Sequence, residues 1–130
     1  MLSKIRNIDE LPTEELMIEA TGERLALARS ISDAFGLSNL LVHIELLPTG
    51  RRASSAHRHS IKEEIFMVLE GAPSLWLDGQ VSQMAPGDVV GFRPREGARM
   101  IVNESSSNAV ILTIGTNDRN DVIEYFREEG

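Results

Sequence analysis

From residue 39 onward the apolar residues fall into short runs rich in Val, Ile, Leu, Phe and Thr, each bounded by Gly, Pro, Asp or Asn. The pattern predicts strands at 40–47, 52–59, 64–69, 74–77, 80–84, 89–92, 99–104, 109–115 and 122–126. Connections this short leave no room for crossover helices, so the strands must pair antiparallel. Asp78-Gly79, between Leu75-Trp76-Leu77 and Gln80-Val81, is a two-residue hairpin signal, because a type I′ turn needs positive φ at both central positions. Eight or more short strands with tight turns predict an all-β sandwich, barrel or jelly roll. The N-terminal third is less regular: residues 11–15 read as a turn, and residues 30–35, closed by Gly36, as a short helical turn.

Composition narrows the possibilities. The 130 residues suit one domain, and 42% hydrophobic with 25% charged residues is ordinary for a globular chain. A net charge of −7 and a pI near 4.9 argue against binding nucleic acid, whose affinity rests on Lys and Arg displacing counterions. No apolar run reaches the ~20 residues of a membrane helix, and Met1-Leu2-Ser3-Lys4-Ile5-Arg6 leads into acidic sequence. The expectation is a cytoplasmic protein without a membrane partner. The chain has no cysteine, so any metal must be held by nitrogen and oxygen, and only three histidines are available.

Two of those histidines stand in His57-Arg58-His59. Residues two apart on a strand project from one face, so both imidazoles can reach a single ion. A carboxylate follows the turn Ser60-Ile61-Lys62. Alternation groups Glu64 with Phe66 and Val68 on the interior face and leaves Glu63 to solvent. Two histidines and one carboxylate form a facial three-ligand set suited to Fe, Mn, Zn or Ni as divalent ions. His43, in an apolar strand, reads as a packing residue, and Asp88 as a turn residue. No phosphate loop, nucleotide fingerprint or Ser/His/Asp arrangement offers a competing active centre.

The run from Gly50 through His57-x-His59-x4-Glu64-x6-Gly71 resembles the first cupin motif. Pro86-Gly87-Asp88-Val89-Val90, with Pro94 and Asn103, resembles the second. The resemblance implies an antiparallel double-stranded β-helix, the jelly-roll barrel, over residues 39–130, with residues 1–38 as an N-terminal extension packed on it. It also implies a homodimer and a small-molecule ligand. The activities it allows are those of a metal-dependent isomerase or oxygenase, or a metal-free ligand-binding or sensing module. One departure bears on chemistry: at position 99, where the family carries its last histidine ligand, stands Arg99. An arginine has no lone pair to donate and stays charged. At ~5 Å it would repel a divalent ion by roughly 6–7 kcal/mol at an effective dielectric of 20. Something negative must therefore lie between them: Glu64 itself, or an anionic substrate such as a sugar phosphate or carboxylate bridging metal and Arg99. The expected substrate contacts are Arg99 and Arg51, with Phe66 and Ile101 as apolar walls.

Overall fold

The computed structural model describes residues 4–127. After a 3₁₀ turn at Ile8–Glu10 come β1 (Glu14–Ile18), β2 (Glu23–Ser30), a single helical turn α1 (Ile31–Ala34) and β3 (Leu40–Leu47). The chain continues through β4 (His57–His59), β5 (Glu64–Glu70), β6 (Ser74–Leu77), β7 (Gln80–Gln83) and β8 (Val89–Phe92). It closes with β9 (Arg99–Val102), β10 (Ala109–Thr116) and β11 (Ile123–Tyr125). Every pairing is antiparallel, in a six-stranded sheet ordered β1-β2-β3-β10-β5-β8 and a five-stranded sheet ordered β11-β4-β9-β6-β7. This is the expected all-β double-stranded β-helix.

The core lies between the sheets, where Leu47, Phe66, Phe92, Ile101 and Ile111 interdigitate around Ala26 and Ala109. Turn chemistry sets the registers. Asp78 (φ 48°) and Gly79 (φ 87°) make the predicted type I′ hairpin, pairing Leu77 with Gln80. Asp88 Oδ2 accepts from the Ala85 amide at 2.8 Å, the turn role read for it from sequence. Asn103 is fully buried and cross-links two strand ends, its Nδ2 donating to the carbonyls of Leu47 and Ser107, both at 2.8 Å.

Two sequence expectations are corrected. Residues 11–15 are not simply a turn: Glu14 opens β1, which pairs with β2 and, through it, with β3. β1 was illegible because it is an edge strand with a register shift and exposed Glu14, Glu15 and Met17, so no clean apolar alternation survives. β2 turns alanines inward at 26 and 28, which do not read as β-formers. The second correction concerns 52–59, which is not one strand. Arg52 makes a lone bridge to Val102, the chain bends at Ala53-Ser54, and regular pairing resumes only at His57.

Candidate metal centre

β4 holds His57 and His59 against β11 on one side and β9 on the other, with His57 directly opposite Arg99. Each imidazole is fixed through its Nδ1. The His59 Nδ1 lies 2.7 Å from Asp121 Oδ2, and the His57 Nδ1 lies 2.7 Å from the Ser55 carbonyl oxygen, with Ser54 Oγ at 3.3 Å. A carboxylate and a carbonyl can only accept, so in both rings Nδ1 carries a proton, and in the neutral imidazole the lone pair is then on Nε2. The His59 Nε2 is buried and has no hydrogen-bond partner. Histidines held in this way through a carboxylate or carbonyl are the usual arrangement of metal ligands.

Asp121 does more than orient His59. Its Oδ1 accepts from the backbone amides of Ile61 (2.8 Å) and Lys62 (3.0 Å), tying down the turn that delivers Glu64. Burial alone would raise its pKa; the two amides and His59 outweigh it and hold the carboxyl down to about 2. Glu64 is buried, as its strand parity requires, and one ligand atom each from His57, His59 and Glu64 lies within 4.8 Å of the others. The chemistry of this donor set fits a divalent cation.

Arg99 complicates that fit. It is 0% exposed, and its Nη2 donates to Glu64 Oε1 at 2.7 Å while Nη1 donates to the carbonyl of Glu96 at 3.1 Å. The guanidinium stacks 4.3 Å from the centre of the Phe92 ring, and its Nε has no partner. Lys62 Nζ approaches the other carboxylate oxygen of Glu64 at 3.5 Å. Burial pushes the Glu64 pKa up, but these two cations prevail and keep it below the ordinary carboxylate value. Burial also depresses the His57 pKa, which favours the neutral, coordinating imidazole.

These groups open onto a cavity of about 220 Å³ between the sheets. Phe66 and Ile101 line it, joined by Ala53 and by Leu16 from β1. The two arginines do not. Arg99 lies behind Glu64, and Arg51 is turned to the N-terminal hairpin, where its Nη1 meets Glu15 Oε2 and the Leu25 carbonyl, both at 3.1 Å. Sequence reasoning missed Glu45 and set His43 aside, yet both line the cavity. They share strand parity with inward-facing Leu47, and α1 packs against β3. Burial drives the Glu45 pKa up to about 7, reinforced by the charge of Glu64 and opposed by Lys62.

The Cupin domain family matches residues 43–115. A candidate sugar phosphate isomerase from Acidithiobacillus ferrooxidans is 29% identical, with 91% of this chain and 76% of that one covered and a TM-score of 0.85. A sugar phosphate isomerase of the cupin superfamily from Silicibacter pomeroyi is 27% identical, with coverages of 92% and 80% and a TM-score of 0.82. A polyketide cyclase from Streptomyces resistomycificus, 18% identical over 98% of this chain and 88% of that one, shares the fold at a TM-score of 0.77. No curated protein matches the chain.

Proposed function

Because the chain belongs to the cupin family, we propose that its cavity holds a divalent transition metal on His57, His59 and Glu64 and takes a small anionic molecule against it. A sugar phosphate is the favoured class. The observation that carries the reading is the pair of imidazoles with Nδ1 protons engaged by Ser55 and Asp121, which leaves both Nε2 lone pairs for an ion. Such an ion would supply Lewis-acid polarisation of a bound carbonyl or phosphoryl oxygen. The preference for an anion follows from charge: a divalent ion together with Arg99 and Lys62 outweighs Glu64 and Asp121. The two isomerase-like neighbours supply the phosphate class.

The protein's own groups would then do the rest. Phe66 and Ile101 exclude water from one wall, and Glu45, whose pKa lies near neutrality, can hold or release a proton at its carboxyl. Isomerisation of a sugar phosphate uses these parts directly; oxygenase chemistry would suit the same facial ligand set. Among the described residues, 39–127 form the barrel in this reading, and 4–38 are an added segment that lends Leu16 to the cavity. Exposed Ile65, Leu69 and Val89 near the β8 edge support a homodimer. No helix among the described residues is long and apolar enough to cross a membrane.

A second reading has its own observation. The 2.7 Å Arg99–Glu64 pair places a permanent cation beside the carboxylate ligand, as a metal-free binding pocket would. Proton NMR of aldose and ketose phosphates incubated with Mn-, Fe-, Ni- or Zn-loaded protein tests the main proposal. Exchange or interconversion of phosphorylated sugars, absent with free sugars, supports it. Metal-loaded protein that binds no phosphorylated sugar overturns the anion assignment.

A further inference from the structure

The anion-binding reading leaves open which side chain meets the anion. Of the three basic residues around the centre, Arg99 is fully buried behind Glu64 and Arg51 is spent on Glu15 and the Leu25 carbonyl. Lys62 alone among the lysines and arginines of the described residues lines the cavity. Its side chain is 17% exposed, and its ammonium faces Glu64, with His43 and Glu45 on the facing strand also feeling its charge. The 3.5 Å separation from Glu64 Oε2 is long for a charge-assisted bond, which is usually about 2.7–2.9 Å, and an ammonium carries three donors. Capacity to bind a further anion therefore remains.

Gly115 supplies an independent observation. Its φ is not in the left-handed region, so no turn demands a glycine there. A Cβ at this position would instead stand 2.3 Å from Lys62 Cε and 3.2 Å from Nζ. The glycine makes room for the lysine stem to lie across β10 into the cavity. The other end of Lys62 is fixed as well, its backbone amide donating to Asp121 Oδ1 at 3.0 Å, on the carboxylate that also orients His59. One acid thus sets the position of both a candidate metal ligand and the lysine.

We propose that Lys62, seated over Gly115, is the residue that binds the anionic group of the ligand and so selects anionic over neutral molecules. The proposal rests on the anion-binding reading above. The test is calorimetric titration of inorganic phosphate into wild type, Lys62→Met and Gly115→Ala, with bound metal measured by elemental analysis and folding by thermal melting. The Gly115→Ala variant keeps every charge and displaces chiefly the lysine, the nearest other atom being the Glu63 carbonyl oxygen at 3.3 Å, a contact that the melting temperature monitors. The expected result is at least a tenfold loss of phosphate affinity in both variants, with metal content and melting temperature close to wild type. Unchanged phosphate affinity in Lys62→Met overturns the assignment. So does a loss of phosphate binding that tracks loss of metal, because Lys62 would then act only through Glu64. Absence of metal from wild type, with the lysine-dependent phosphate binding intact, would defeat the metal reading while leaving this inference standing.

Discussion

Replacing Arg99 with glutamine removes the charge that this site sets against a metal ion. An ion bonded at ~2.1 Å to Glu64 Oε1, the oxygen that Arg99 engages at 2.7 Å, would lie no farther than about 4.8 Å from the guanidinium nitrogen. At an effective dielectric of 20, the repulsion between a divalent and a monovalent charge at that distance is about 7 kcal/mol. Side-chain relaxation and water entering the emptied space will absorb much of it. If a third survives, about 2 kcal/mol, Arg99→Gln binds metal roughly thirtyfold more tightly than wild type. The metal-free variant should meanwhile be less stable by about 3–5 kcal/mol, because removing one partner of a buried pair strands the other charge. Metal at about 100 times its Kd should restore roughly 2.7 kcal/mol of that. Calorimetric titration with Zn(II) or Mn(II), and urea denaturation with and without the ion, read both quantities. Metal affinity that is unchanged or weaker in Arg99→Gln would refute the electrostatic reasoning.

Asp121→Ala frees the His59 ring and the amides of Ile61 and Lys62; metal affinity should fall about 10–100-fold, read by competition with a chromogenic chelator. Glu45 has its pKa raised in the folded state, so the wild type loses stability as pH rises from about 4.5 through about 7. Glu45→Gln lacks that loss and should gain up to about 3 kcal/mol over wild type between pH 4.5 and 8, and equal urea midpoints at both pH values would contradict this. Gly71 sits at φ 83°, and a Cβ there would come within 2.6 Å of the Asn108 carbonyl oxygen. Gly71→Ala should therefore cost about 2 kcal/mol or more in chemical denaturation.

The sequence made the barrel readable where local chemistry governs. Asp78-Gly79 needs no tertiary context to make its hairpin, and the alternation Glu64, Phe66, Val68 fixed which of two adjacent glutamates faces inward. What lay hidden depends on residues distant in the chain. Asp121 stands 62 positions after His59 in a polar stretch, and only the β4–β11 pairing brings its carboxylate to the ring. Glu45 and His43 reach the cavity because they share the parity of Leu47 on β3, which places them beside Leu41 on its wall, and nothing local in that apolar run announces a cavity. Arg99 stands out in the sequence as the departure from the motif, and the β4–β9 register puts it opposite His57. Its engagement with Glu64, rather than with the open cavity, needed the fold. Arg51 shows the converse: the sequence offered it as a substrate contact, but in the fold it pairs with Glu15 on an unforeseen strand.

The central claim is that His57, His59 and Glu64 hold a metal ion. Protein purified without tags or chelators, beside a His57→Ala, His59→Ala double variant, decides it by elemental mass spectrometry. The account predicts near-stoichiometric transition metal in the wild type and none in the variant. A wild type that is metal-free and also refuses added Fe(II), Mn(II), Ni(II) and Zn(II) would contradict it.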